Sequence, residues 1–214
     1  MKARGRVTDA AFAPDGKSVV TASARGSFVW SVPTGRRLHA LAGASRVAFS
    51  PDGKLVATAG GDGAARIWDA ATGKLRHVLP ASGRGLTDVV FSPDGRTLLT
   101  TSLERDVTTW DTRTGKRLHV LVGHFGTVSG GAFSPDGRWI VTAGPISAIL
   151  WRTGAERPFF YLRGDTRLLT AVSFSPDGRL VLSSSDDGSV RLYACEVCGG
   201  LQDLLRLAEQ RLRR

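Results

Sequence analysis

A short segment recurs five times along the 214-residue chain and constrains its fold more than any other feature. The segment reads Phe, then Ser or Ala, then Pro-Asp-Gly, then Lys or Arg. Its phenylalanines follow one another at intervals of 37, 42, 42 and 41 residues, at Phe12, Phe49, Phe91, Phe133 and Phe174. Each is followed 18 or 19 residues later by an aromatic residue, at Trp30, Trp68, Trp110, Trp151 and Tyr193. Repeats of this length predict an array of one small structural unit.

Within one repeat, the sequence predicts short β-strands joined by tight turns. In the second repeat, the turn Ser50-Pro51-Asp52-Gly53 places proline at the second position of a type I turn and glycine at the left-handed position after it. The apolar and β-branched segments LVATAG, AARIWD and LRHVL follow, separated by a Gly-rich turn and a Thr-Gly-Lys turn. Strands of this length with regular turn signals are typical of an all-β fold.

The repeats resemble the WD-repeat (WD40) β-propeller family over about residues 6–194, and Trp68-Asp69 and Trp110-Asp111 carry the dipeptide that names it. The resemblance implies blades of four antiparallel strands, at about residues 6–43, 44–82, 83–124, 125–165 and 166–194, within a propeller spanning residues 1–194. It also implies structural roles for the five repeat aromatics, for the turn residues Asp62 and Asp187, and for His124 of the single Gly-His pair. No repeat combines that histidine with the turn aspartate, because Pro145 stands at the aspartate position of the His124 repeat. We therefore expect the blades to depend more on apolar packing than on a buried polar network.

The closure of the propeller stays open at this point. Family propellers mostly have seven blades, whereas this chain has five repeats, and the fifth lacks a Thr-Gly-Lys turn and a fourth strand. Three architectures fit: a closed five-bladed ring, an open arc completed by dimerisation, and the C-terminal part of a longer propeller. Residues 199–214 carry leucines at helical spacing and predict a short amphipathic helix that caps the propeller or binds a partner.

The end of the chain reads Cys-Glu-Val-Cys-Gly at residues 195–199 and continues into a leucine-rich segment with helical spacing. It resembles the tails of WD-repeat regions in bacterial signalling proteins of the STAND and kinase-linked types. In those proteins the propeller acts as a sensor or an interaction module. This resemblance implies a role in bacterial signalling and adds nothing to the prediction of the fold.

No catalytic motif stands out in the sequence. It contains no P-loop, nucleophile elbow or Gly-x-Gly-x-x-Gly, and the turn aspartates occupy equivalent positions around the repeat rather than one site. Cys195 and Cys198 supply only two of the four ligands that structural zinc requires, so they are weak metal candidates beside a redox pair, a buried thiol pair or a local disulfide. We expect no enzyme activity, no cofactor and no metal.

Charge indicates the class of partner. A net charge of +10 favours an acidic protein, nucleic acid or anionic lipid. Loops that the family uses for binding contain arginines with an occasional apolar residue, and arginine and aromatic residues are enriched at binding hot spots. The candidate partner-binding residues are Arg25, Arg84, Leu103, Arg105, Phe125, Arg163, Arg167 and Asp186.

These observations predict a non-catalytic scaffold or sensor module for protein–protein interaction, with an acidic partner and with homo-oligomerisation left open. The first alternative is a basic propeller that binds nucleic acid, although few aromatic residues are interleaved with its basic residues. A propeller enzyme is the second, although the first strands supply mostly small and apolar side chains. No apolar run reaches ~20 residues and the N-terminus has no apolar signal region, so we expect a cytoplasmic protein that does not insert into membranes.

Overall fold

The computed structural model describes residues 5–81, 83–195 and 198, and the secondary structure of this part consists of β-strands. Its nineteen strands form five antiparallel sheets, in each of which neighbouring strands are consecutive in the chain. The all-β propeller-type fold predicted from the sequence is confirmed. The predicted C-terminal helix, at residues 199–214, lies outside the described residues.

The five sheets are numbered in chain order as blades 1 to 5. Blade 1 contains β1 (Val7–Phe12), β2 (Ser18–Ser23), β3 (Ser27–Ser31) and β4 (Arg37–Leu41). Blade 2 contains β5 (Arg46–Phe49), β6 (Leu55–Ala59), β7 (Ala64–Asp69) and β8 (Leu75–Pro80). Blade 3 contains β9 (Leu86–Phe91), β10 (Thr97–Ser102), β11 (Val107–Asp111) and β12 (Arg117–Val120). Blade 4 contains β13 (Gly130–Phe133), β14 (Trp139–Ala143), β15 (Ala148–Arg152) and β16 (Phe160–Leu162). Blade 5 contains β17 (Leu169–Phe174), β18 (Leu180–Ser185) and β19 (Val190–Ala194).

A Pro-Asp-Gly turn joins the first and second strands of every blade. In blade 2 the amide of Gly53 donates to the carbonyl of Ser50 over 2.8 Å, and Gly53 has a φ of 71°, which glycine adopts without steric cost. Asp52 Oδ1 accepts hydrogen bonds from the Ser50 hydroxyl (2.7 Å) and the Lys54 amide (3.0 Å). These bonds, the one from Ser50 foremost, lower the pKa of Asp52 below its usual range. The recurrent segment is therefore a turn motif in which each residue has a local role.

Each blade has two faces that alternate along its strands. The front face carries the phenylalanine before the Pro-Asp-Gly turn and the repeat aromatic of the third strand. In blade 1 these residues share a face because Phe12 pairs with Val19, and Val19 pairs with Trp30. The back face carries the intervening residues.

Blades pack with the back face of one against the front face of the next. Between blades 1 and 2, Val20 and Val29 pack against Val47, Val56 and Trp68. Corresponding apolar clusters join blades 2 and 3, blades 3 and 4, and blades 4 and 5. Burial of one large apolar side chain contributes roughly 1.5–3 kcal/mol, so these four interfaces form the core of the protein.

The arc of blades does not close on itself. The first strands pack in succession, β1 with β5, β5 with β9, β9 with β13 and β13 with β17, whereas no comparable contact joins β17 to β1 in the described part of the chain. Phe12 is consequently 69% exposed, while the equivalent Phe91 is 7% exposed. The closed five-bladed ring, one of the architectures that fit the sequence, is not the one that the structure adopts.

Outer-strand histidines tie blades together at the rim. His39 Nε2 donates to the carbonyl of Ala71 in the next blade over 2.9 Å, and His77 Nε2 donates to the carbonyl of Arg113 over 3.0 Å. His119 Nδ1 lies 3.5 Å from a carboxylate oxygen of Glu156. Each histidine therefore reaches forward to the following blade, and the three are spread along the rim.

Candidate functional site

A tryptophan–threonine hydrogen bond anchors each of the first four blades. The indole Nε1 of the repeat tryptophan donates to a second-strand threonine hydroxyl at 2.8–3.0 Å. The pairs are Trp30 with Thr21, Trp68 with Thr58, Trp110 with Thr100, and Trp151 with Thr142. The tryptophans were predicted as structural residues, but their partners were missed. The available signal was a threonine nine residues after the repeat phenylalanine in all four blades.

Blade 4 extends this pair into a buried network. His124 Nε2 lies 2.7 Å from the Thr142 hydroxyl that also accepts the bond from Trp151. His124 is 6% exposed, and its burial lowers its pKa to about 4. Gly144 lies directly against the imidazole, where a Cβ would collide with it. The predicted structural role of His124 thus corresponds to an interior hydrogen bond, made without the turn aspartate that Pro145 replaces.

Replacing Thr142 with valine is expected to destabilise the protein by about 2 kcal/mol, because His124 and Trp151 both lose their shared hydroxyl in a dry interior. Urea unfolding at neutral pH measures the loss. Thr21→Val is the matched control, because Thr21 is partly exposed and its hydroxyl, among the described residues, bonds Trp30 alone, so its cost should be about 1 kcal/mol or less. Equal losses in the two variants would contradict the assigned network.

Blade 5 replaces this network with a charged one. Gly164-Asp165 stands where blade 4 has Gly123-His124. The Asp165 side chain is fully buried and is ion-paired with Arg191. Asp165 Oδ2 also accepts hydrogen bonds from Tyr193 (3.1 Å) and Ser183 (3.3 Å). Asp165 belongs to no motif that would mark it in the sequence, since it matches neither the family histidine nor a turn aspartate.

The two predicted turn aspartates stabilise their own loops. Asp62 accepts from the Ala64 amide (3.1 Å) and pairs with Arg66 (2.6 Å), and the bond from Arg66 is the main cause of its lowered pKa. Asp187 accepts hydrogen bonds from Ser189 and from the Thr166 amide (3.0 Å). These bonds, the one from the Ser189 side chain foremost, lower the pKa of Asp187 well below its usual range. Asp62 holds its own turn, and Asp187 also joins its turn to the β16–β17 loop through Thr166.

The eight predicted partner-binding residues all lie at one edge of the sheets. Because adjacent strands are antiparallel, the loops after each second and fourth strand emerge at this upper edge. All eight are exposed. They are Arg25 (β2–β3 turn), Arg84 (β8–β9), Leu103 and Arg105 (β10–β11), Phe125 (β12–β13), Arg163 and Arg167 (β16–β17), and Asp186 (β18–β19).

Only part of this set is brought together. The Leu103 amide donates to the carbonyl of Gly85 (3.0 Å), and the Thr127 hydroxyl donates to the carbonyl of Leu103 (2.8 Å). These bonds join the loops that carry Arg84, Leu103, Arg105 and Phe125. The β16–β17 loop carries Arg163 and Arg167. It adjoins the β14–β15 turn through the hydrogen bond from the Leu169 amide to the Gly144 carbonyl (3.2 Å). The Asp186 amide donates to the carbonyl of Leu168 (2.9 Å), so the β18–β19 turn adjoins the loop that carries Arg167. Arg25 lies in blade 1, in the β2–β3 turn.

An apolar residue that the sequence did not single out lies in the same region. Ile146 in the β14–β15 turn is 50% exposed, alongside Leu103 at 53% and Phe125 at 69%. The Phe125 loop reaches that turn, because Gly126 faces Pro145 at contact distance. We call Leu103, Phe125 and Ile146 the upper apolar patch. Three large apolar side chains exposed in adjoining turns form the clearest candidate for a binding surface at this edge.

Charged residues on the first strands were also missed. Asp9 Oδ2 accepts from the Val47 amide (3.0 Å), and Asp88 Oδ2 accepts from the Gly131 amide (3.3 Å), so each carboxylate ties one first strand to the next. Burial raises the pKa of Asp88, and the nearby Arg46 charge opposes that rise. The first strands are therefore less uniformly small and apolar than expected, and these carboxylates serve inter-blade packing.

The two cysteines that were weak metal candidates are not free thiolates in this structure. Cys195 and Cys198 are joined in a disulfide and are buried against blade 5, whereas zinc binds thiolates. Across residues 5–81, 83–195 and 198, no group of three or more His, Cys, Asp or Glu side chains is placed to hold a metal ion. The same residues include no helix of the length and apolarity needed to cross a membrane.

Comparison with known protein families agrees with this geometry. Four segments match the family described as WD domain, G-beta repeat, at residues 35–69, 73–111, 115–151 and 157–194. Each segment begins at or just before the outer strand of one blade and ends with the third strand of the next, so a sequence repeat links two sheets. A comparison with curated proteins gave no match. Because the matched segments cover well over half of the chain, this protein belongs to the WD40 repeat family.

Proposed function

We propose that this chain is a protein-interaction module that binds an acidic protein segment through the upper apolar patch and the arginines beside it. WD40 repeats generally mediate protein–protein interaction as non-catalytic scaffolds. The observation that carries the proposal is the exposure of Leu103, Phe125 and Ile146 in three adjoining turns of blades 3 and 4.

The apolar component supplies the expected affinity. Residues at the tips of turns add little to the core, and a phenylalanine left 69% exposed gains stabilisation only when a partner covers it. Aromatic and apolar anchors that become fully desolvated dominate protein interfaces, and the residues around them exclude water. Phe125 is therefore the expected anchor of the interface.

The charged component selects the partner. Arg105 is exposed in the same loop as Leu103, and Arg84 lies in the neighbouring loop with its Nε 3.7 Å from a Glu104 carboxylate oxygen. Arg163 and Arg167 extend the basic surface towards blade 5. With a net charge of +10, the protein attracts acidic segments during encounter and repels basic ones.

Selection of peptides from a displayed library on the immobilised full chain tests the proposal. We expect recovered peptides to combine Asp or Glu with large apolar residues. Phe125→Ala should weaken the best peptide by about thirtyfold or more, because truncation of a hot spot costs about 2 kcal/mol or more. Leu118→Ala is the matched control, since Leu118 is 44% exposed on the outer strand of blade 3, away from the patch, and it should leave binding within about twofold.

Two outcomes would contradict the proposal: peptides without acidic residues, or equal binding by Phe125→Ala and Leu118→Ala. Tight binding to duplex DNA or RNA would instead support the nucleic-acid alternative, if its affinity falls steeply with salt and is unchanged by Phe125→Ala. A sensor role in bacterial signalling and a cytoplasmic location stay predictions, to be tested by locating the protein in cells and identifying its partner there.

A further inference from the structure

We propose that copies of this chain associate head to tail, with the back face of blade 5 in one copy packing on the front face of blade 1 in another. The contact is separate from the upper apolar patch and does not depend on the proposed peptide binding. It uses the two faces against which no further blade of the described residues packs.

The interface already exists four times inside the chain. At every junction, a back face of one blade meets the front face of the next in a continuous apolar cluster. The two surfaces differ from one another, so the junction is heterologous. In residues 5–81, 83–195 and 198, one front face and one back face therefore lack a partner blade, and the two are complementary because the blades share one repeat.

The front face of blade 1 shows what the missing neighbour would cover. Phe12 is 69% exposed, whereas the equivalent Phe91 and Phe133 are 7% and 9% exposed against the preceding blade. Phe28 and Trp30, with ring centroids 5.7 Å apart, pack edge to face in a small cluster whose described members all belong to blade 1. Both side chains are already buried, at 8% and 6% exposure, so the part of this face that a neighbour would cover is its inner end at Phe12.

The back face of blade 5 shows the complementary pattern. Leu192 is 66% exposed, although its counterparts Ile67 and Leu150 are 0% and 2% exposed. Val190 is also 66% exposed, where blade 3 has Val107 at 0%. Leu180 and Leu182 add further exposed leucines, at 39% and 38%.

This face continues the established interface of the blades. A strand face that met only water would alternate towards polar residues, but blade 5 carries large apolar residues at the positions that are buried in blades 2 to 4. A contiguous apolar face of this kind marks an interaction site. A second copy is the occupant we infer, because its blade 1 has the same front-face residues that blades 2 to 5 use within the chain.

Light scattering of the purified full chain provides the test. Wild-type protein should show masses above the 22.8 kDa of one chain, with the share of assembled species rising with concentration. Phe12→Asp and Leu192→Asp should each give a single chain, since every head-to-tail contact needs one intact face of each kind. Both positions are largely exposed, so circular dichroism and tryptophan fluorescence should remain those of the wild type.

Mixing the two variants is the decisive step. Phe12→Asp keeps its blade 5 face and Leu192→Asp keeps its blade 1 face, so a one-to-one pair should form from two variants that are each single chains. Phe125→Asp, an equally exposed phenylalanine at the upper edge, should assemble as the wild type does.

A wild type that is a single chain at all concentrations would overturn the proposal, as would a mixture that fails to pair or a loss of assembly in Phe125→Asp. Peptide binding by Phe12→Asp should be unchanged, so failure of this proposal and failure of the proposed function are distinguishable.

Discussion

Replacing Asp165 with alanine is expected to lower the free energy of unfolding by about 3 kcal/mol, one of the two largest effects predicted for this protein. The Asp165 carboxylate is fully buried beside Arg191, and it accepts hydrogen bonds from Tyr193 and Ser183. Alanine would leave a tyrosine hydroxyl and a guanidinium without their shared acceptor. Arg191 retains 31% side-chain exposure, which lets water compensate in part and keeps the expected loss at the lower end for a broken ion pair.

Urea unfolding of the full chain measures this loss, with tryptophan fluorescence as the signal. Asp165→Asn should lose less, because its amide oxygen still accepts from Tyr193 although the charge is gone. Asp186→Ala is the control, since Asp186 is exposed at the nearby β18–β19 turn and should change stability by about 0.5 kcal/mol or less. A stability of Asp165→Ala equal to that of Asp186→Ala would show that the blade 5 network does not stabilise the fold.

The sequence predicted the strands and turns because their determinants are local. The turn at Ser50–Gly53 depends on the φ of one glycine and on one aspartate side chain, both within four residues. The spacing from Phe49 to Trp68 then follows from three short strands that must return to the same face. Local determinants of this kind are visible in a sequence without knowledge of its neighbours in space.

The polar partners inside the blades were missed because strand composition conceals them. A threonine such as Thr142 is as expected in a strand for its β-branched shape as for its hydroxyl. Asp165 is joined to Arg191 across 26 residues, and nothing local marks either as a buried partner. The hydrogen bond from the Gly131 amide to the Asp88 carboxylate joins residues that are 43 positions apart. These contacts depend on how the blades pack together. They involve residues that differ from one repeat to the next, so the repeat pattern does not predict them.

Closure and the binding surface were harder to predict for a related reason. Leu192 is apolar, as core residues are, and it is exposed because no further blade of the described residues packs against the back face of blade 5. Conversely, exposure of the eight loop residues follows from the position of their turns and does not by itself establish binding. The patch around Phe125 became apparent only when contacts between loops placed Leu103 and Ile146 in neighbouring turns.

Acidification should destabilise the protein through His124. Its pKa is about 4 in the folded protein because burial disfavours the charged imidazole, and it rises to about 6.5 on unfolding. Between these values the unfolded chain binds a proton that the folded chain does not, so stability falls as the pH falls. The contribution of neutral His124 is complete above about pH 6.5 and is lost progressively towards pH 4, by about 3 kcal/mol in all.

Unfolding midpoints between pH 7 and pH 4.5 test this, with the wild type compared with His124→Gln. The variant should be less stable at neutral pH, because glutamine replaces the bond to Thr142 imperfectly, but its stability should fall less on acidification. Carboxylates that titrate in the same range are common to both proteins and cancel in the difference. Parallel curves for the wild type and His124→Gln would contradict the lowered pKa that burial gives His124.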